Sequence, residues 1–221
     1  MDFIERVQEL AAKARQMRQA LQGIDTEEAT KNALVMPFIK DVLEYDVFNP
    51  LEVVPEFTAD VGVKKGEKVD YAIIKDGKPV ILFECKRIGT LLEKEQASQL
   101  YRYFTTTEVR FGVLTDGLIY RFFTDLEKPN VMDSKPFLEI NLLDLDETLV
   151  EELRKFTKGS FEVEGILATA SDLKYGREIK KILNEQLASP TDDFLRFIAA
   201  HVYSGRVTHA VLNQFRLIAK S

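Results

Sequence analysis

The chain reads as an α/β protein, a mixed sheet flanked by helices in the order α-β-β-β-α-β, with a helical C-terminal extension. Three observations predict this. Apolar residues recur at helical spacing in two segments before residue 46. Two alternating stretches are each interrupted by Asp-Gly, at Asp76-Gly77 and Asp116-Gly117, the dipeptide of tight hairpins. From Asp146 onward helical periodicity is broken only by Gly or by Ser-Pro-Thr.

Taken in order, Phe3, Ile4, Val7, Leu10, Ala11, Ala14, Met17 and Leu21 place a helix over 2–22, ended by Gly23 and Asp25. Asp25 or Thr26 caps a second helix, with Glu27 and Glu28 favourably placed in its positive first turn. It runs to about Tyr45, is open to a kink at Pro37, and stops at Phe48-Asn49-Pro50. Val53–Phe57, Glu67–Ile74 and Val80–Lys86 are strands, the last two joined by the Asp76-Gly77 turn. Leu91–Phe104 returns to helical period. Arg110–Thr115 and Leu118–Thr124 make a second hairpin, 125–136 is a loop, and Phe137–Leu142 is a further strand. Helices follow near 146–157, 163–188, 191–203 and 206–219. The domain expectation is therefore a core with its N-terminal helix over 1–143 and a helical extension over 144–221. The ending, RLIAKS, has no tidy helix stop, which fits a piece of a longer natural protein.

A length of 221 residues suffices to bury a core without disulfides or structural metal. One cysteine excludes a disulfide framework and a multi-cysteine zinc site, and points to the reducing cytoplasm. The charged N-terminus lacks the apolar core of a signal peptide, and no apolar run reaches the roughly 18 residues of a membrane span. The net charge of −6 argues weakly against a broad nucleic-acid surface. Charge is uneven, however: residues 60–110 hold ten Lys/Arg and eight Asp/Glu. A local basic face can act alone, since salt screens charges beyond about 8–10 Å.

The chemistry concentrates in residues 69–103. Glu84 and Lys86 stand two apart on a strand, so they leave one face while Cys85 points the other way. Counting back from the Asp76-Gly77 turn brings Asp70 opposite Leu82–Glu84. Ionisable groups in an apolar strand are costly unless compensated, and a divalent cation compensates them. Asp70, Glu84 and a backbone carbonyl offer the hard oxygens that suit Mg²⁺, for which Mn²⁺ would substitute. Such an ion acidifies water and stabilises charge at phosphorus. Lys86 is placed to orient or deprotonate that water and to neutralise a phosphate. Gln99 and Tyr103, four apart on one helical face, could hold a phosphate, a base or a water beside the carboxylates. The bland reading of each part is a surface salt bridge, a solvated Gln and a half-buried Tyr.

The pattern Asp70…Glu84-x-Lys86 followed by Gln99-x-x-x-Tyr103 resembles the PD-(D/E)xK nuclease superfamily. With TEEATKNALVMPFIKDVLEYDVFNP and EFTADVGVKKGEKVDYAI, it looks more narrowly like the N-terminal nuclease domain of type I restriction enzyme R subunits, in a small stand-alone or prophage-type form. The similarity is good over residues 24–125 and weaker in the helical tail. It implies a restriction-endonuclease-like core and a metal-dependent endodeoxyribonuclease. Asp70 and Glu84 would be metal ligands and Lys86 the catalytic lysine. Gln99 and Tyr103 would support the site, and a helix carboxylate would join the metal, Glu28 fitting best and Glu27 competing. DNA and other restriction-system subunits are the implied partners. Lys68, Arg87, Lys94 and Arg102, with Lys64, Lys65 and Lys78 nearby, are candidates to track a DNA backbone. Two departures stand out: Val69 replaces the proline often found before the first Asp, and no GxxxxGK[ST] phosphate loop is present, so no ATP-driven motor is encoded here.

His201 and His209, eight apart without clustered ligands, read as structural histidines. Cys85 has no evident His partner and is not a thiol nucleophile. The rival reading is a catalytically inactive nucleic-acid-binding or assembly module of a restriction or prophage system. A nuclease acting on RNA ranks last, because no RNA-specific module is visible.

Overall fold

A computed structural model describes residues 2–19, 26–58 and 68–219. The expected helix breakers Gly23 and Asp25, and Lys64 and Lys65, lie outside the described residues. Two compact units emerge, Met1–Ser171 and Asp172–Ser221. The compositional shift near residue 143 comes earlier than this division. Helix α4 (Glu147–Leu153) and the 3-10 turn after it pack into the first unit, where Phe156 is buried against Phe111, Phe122 and Phe137.

The first unit is built on one six-stranded sheet: β1 (Val53–Phe57), β2 (Val69–Lys75), β3 (Lys78–Cys85), β4 (Phe111–Thr115), β5 (Ile119–Phe123) and β6 (Leu138–Asn141). Strand order follows chain order, and only β3 and β4 are parallel. A parallel pair needs a crossover. Here it contains a 3-10 turn, Lys94–Ala97, leading into α3 (Ser98–Thr106). The expected helix over 91–104 thus starts later and opens with tighter hydrogen bonding. Asp76 (φ 52°) and Gly77 (φ 74°) both adopt left-handed backbone and pair Lys75 with Lys78, as the hairpin signature predicts.

Each face of the sheet is covered. Leu100, Tyr103 and Phe104 of α3 pack with Val69, Ala72, Leu82 and Leu114. Phe104 approaches Gly112 so closely that a Cβ there would lie 3.0 Å from its ring. Helix α1 (Phe3–Gln19) buries Phe3, Val7, Leu10, Ala11 and Ala14, and its start is closed by reciprocal 2.9 Å bonds between Asp2 and Glu5. The second helix, α2, covers 27–42. Thr26 caps it, accepting from the Ala29 amide at 3.1 Å. The possible kink at Pro37 takes the form of widened winding. Lys31–Val35 and Phe38–Val42 are π-helical, with Met36 N–H bonding Lys31 O and Leu43 N–H bonding Phe38 O. Proline has no N–H and crowds the carbonyl four residues back, and wider i→i−5 bonds relieve both faults. Phe38 stacks on Tyr120 at 3.9 Å, fixing α2 to β5.

Helix α5 (Val163–Ala188) begins in the first unit, burying Ile166 and Ala170. The second unit holds its later residues with α6 (Asp192–Val202) and α7 (His209–Ala219). Within that unit Leu195, Ala199 and Leu212 are buried, and Arg216 pairs with Asp192. The His201 ring nitrogen Nδ1 lies 2.8 Å from Phe197 O, an intrahelical contact that suits a structural histidine. No helix among the described residues is long and apolar enough to cross a membrane.

Candidate active site

Asp70 is the second residue of β2, and Glu84 the penultimate residue of β3. Tyr71 pairs with Phe83, so Asp70 reaches the end of β3 where Glu84, Cys85 and Lys86 follow. The Asp70 carboxylate is held there by backbone: its Oδ2 accepts from the Cys85 amide at 2.6 Å. Lys86 is held too, its N–H donating to Thr115 O at 2.7 Å and extending the parallel β3–β4 ladder. The expected hairpin geometry therefore brings Asp70, Glu84 and Lys86 to one place.

Glu84 is only 2% exposed. Its Oε1 accepts from Lys86 Nζ at 2.5 Å, while its Oε2 is buried without a hydrogen-bond partner among the described residues. Burial pushes the Glu84 carboxyl up to about 7, with Lys86 pulling the other way. Burial alone would lower the Lys86 pKa, but the hydrogen bond and charge of Glu84 outweigh it and raise it, keeping this side chain an ammonium. Cys85 is fully buried and its thiol is pushed well up by desolvation, so it is no nucleophile.

A cleft of about 410 Å³ opens over these groups, lined by Glu27, Glu28, Lys31, Glu56, Lys68, Val69, Asp70, Glu84, Lys86 and Gln99. Helix α2 supplies three of these residues. Thr30 fixes its start, accepting the Ile88 amide on Oγ1 at 2.9 Å, and Gly117 lies against Thr30 and Leu34. The two helix glutamates are not equivalent. Glu28 has a 72% exposed side chain and pairs with Lys31. Glu27 is the one whose charge is felt by Glu84 and Lys86, and its own carboxyl is raised by burial and then by Asp70. The helix carboxylate facing the Asp70–Glu84–Lys86 group is thus Glu27, and Glu28, the better fit by sequence offset, sits at the rim.

Lys31 was not anticipated as a site residue. It is 8% exposed, and its Nζ donates to Asp70 Oδ1 at 3.0 Å as well as pairing with Glu28. Burial lowers its pKa, but hydrogen bonds to Glu28 and Asp70 more than reverse this. A signal was present: Lys31 lies on the stripe of α2 that buries Leu34 and Phe38. A lysine on a buried stripe requires a partner.

Gln99 and Tyr103 part company. Gln99 lines the cleft, and its Nε2 donates to Lys68 O at 2.7 Å, one residue before β2. Tyr103 is fully buried and is not among the described residues lining the cleft; its hydroxyl donates to Phe57 O at 2.9 Å at the end of β1. Its large ring belongs to the core under α3, and its hydroxyl ties that helix to the end of β1. Lys68 lines the cleft while pairing with Glu56 at 2.7 Å. Arg87 is exposed and Arg102 half-buried, neither among the described lining residues, and the side chain of Lys94 lies outside the described residues.

No three His, Cys, Asp or Glu side chains among the described residues form a preassembled ligand set. The donor chemistry nevertheless fits a hard divalent cation. Glu84 Oε2 is an unshared buried oxygen, and among the described residues each Asp70 oxygen accepts one hydrogen bond on its two lone pairs.

Residues 49–131 match the family model described as the type I restriction enzyme R protein N terminus. The match carries Asp70, Glu84, Lys86, Gln99 and Tyr103, and stops short of α1 and α2. No curated protein and no solved structure matches the chain.

Proposed function

We propose that the first unit is a metal-dependent endodeoxyribonuclease module that hydrolyses phosphodiesters, of the type I R-subunit kind. The observation carrying this reading is the partly buried Asp70–Glu84–Lys86 group at a polar cleft, with an unsatisfied oxygen on the buried Glu84 carboxylate. Asp70, Glu84 and Glu27 would hold Mg²⁺. When bound, the ion would supply Lewis-acid stabilisation of charge at phosphorus and lower the pKa of water.

The chain's own residues do the rest. Cys85 N–H fixes Asp70, and β4 fixes Lys86, so the polar atoms are preorganised. The raised Lys86 pKa favours an ammonium that neutralises a phosphate oxygen over a lysine that deprotonates water. Gln99 holds the backbone entering β2 and so sets the approach of Asp70. Lys68 at the rim is the described cation best placed to meet a DNA phosphate. Mn²⁺ is expected to replace Mg²⁺, and other restriction subunits are expected partners.

The test is cleavage of supercoiled plasmid with Mg²⁺ or Mn²⁺ by the native chain and by Lys86→Ala. A loss of roughly 10²-fold or more is expected in the variant. Equal cleavage by both proteins sinks the assignment, and salt-sensitive DNA binding without any cleavage favours the non-catalytic module.

A further inference from the structure

We infer that Lys31 is a resident cation occupying the second metal position, so that this site takes a single divalent ion. The inference deepens the proposed metal site and rests on it. Two-metal phosphodiesterases hold their ions about 3.5–4 Å apart, clamped around shared ligands. Asp70 is the carboxylate positioned to be shared here, lying between Glu84 on one side and α2 on the other. On the α2 side the place is filled: Lys31 Nζ lies 3.0 Å from Asp70 Oδ1 and pairs with Glu28, from a side chain only 10% exposed. Asp70 Oδ2 faces β3, where it accepts from the Cys85 amide and where the unpartnered Glu84 Oε2 is found. Oxygen valence open to a metal is thus concentrated on the β3 side.

Charge agrees with position. Among the described residues the cleft is lined by five carboxylates, Glu27, Glu28, Glu56, Asp70 and Glu84, against three ammonium groups, Lys31, Lys68 and Lys86. Fully ionised, these described lining residues carry a net charge of −2, which matches one divalent cation. A second ion on Asp70 Oδ1 would also have to expel an ammonium that is packed inside the protein and tied to α2. Lys31 is a positioning residue by this account: it holds Asp70 from the side opposite Cys85 and takes Glu28 out of the ligand set.

The experiment counts Mn²⁺ bound to the full chain, by electron paramagnetic resonance of the free ion, at one fixed pH and without DNA. The native protein binds one Mn²⁺ per chain. Lys31→Met, which keeps the apolar stem and removes the charge, binds two, the added ion lying between Asp70 and Glu28. Glu28→Gln leaves the native count at one. Two Mn²⁺ on the native chain, or an unchanged single ion in a folded Lys31→Met, overturns the inference. No Mn²⁺ on the native chain overturns instead the metal reading on which it rests. If Lys31→Met does not fold by circular dichroism, the native count and Glu28→Gln still decide: loss of the ion in Glu28→Gln makes Glu28 a ligand and overturns the role given to Lys31.

Discussion

At the residue scale the site is a set of charges placed where charge is expensive. Glu84 is the most strained electrostatically, and its raised pKa gives a direct prediction. A carboxyl whose folded pKa lies near 7, above its ordinary 4.5, favours folding in its protonated form. That contribution is complete below the unfolded pKa and is lost as pH rises through 7. In chelator, Glu84→Gln removes the loss, so thermal melts should show the variant gaining about 1–3 kcal/mol on the native chain between pH 4.5 and pH 8. Added Mg²⁺ should stabilise the native protein at pH 8 and not the variant. Tyr103→Phe tests a different point: it removes the hydroxyl bond to Phe57 O, so stability falls by about 1 kcal/mol while cleavage per folded molecule stays near native. The sequence placed Asp70, Glu84 and Lys86 together because strand alternation and a two-residue turn leave little freedom. It separated Gln99 from Tyr103 poorly, since a spacing of four names a shared helix face without saying how deeply each side chain sinks.

At the element scale, α2 is the part on which the site depends most and that sequence described least. Its cap at Thr26 was legible, as was its length. Its π-helical winding around Pro37 was not, because an apolar period near 3.6 residues does not reveal one extra residue per widened turn. Glu27 and Glu28 both line the cleft from the regular α-helical turn that precedes this winding. The seat of α2 is the turn at Gly117, where φ is +81° and a Cβ would fall 2.8 Å from Thr30 Cγ2 and 3.0 Å from Leu34 Cδ1. Gly117→Ala is therefore expected to cost about 2–4 kcal/mol in denaturant unfolding. It should also weaken Mn²⁺ binding by displacing Glu27 and Lys31, although Gly117 itself lies outside the cleft.

At the scale of the whole molecule, the sheet order β1 to β6 with a single parallel step puts the ends of β2 and β3 beside one another and leaves α2 to close over them. The alternation of strands and the crossover helix made this architecture readable. The division into units was less so: helical periodicity begins near 146, whereas Phe156 and Phe161 bind that helical stretch to the aromatic core of Phe111 and Phe122. Composition senses secondary structure, and aromatic packing decides the units. Mn²⁺ anomalous scattering from crystals of the native chain shows whether Asp70 and Glu84 make a divalent metal site. A peak is expected between Asp70 and Glu84 Oε2 with the Lys86 amine beside it; Mn²⁺ bound elsewhere, with that position empty, would rule the site out.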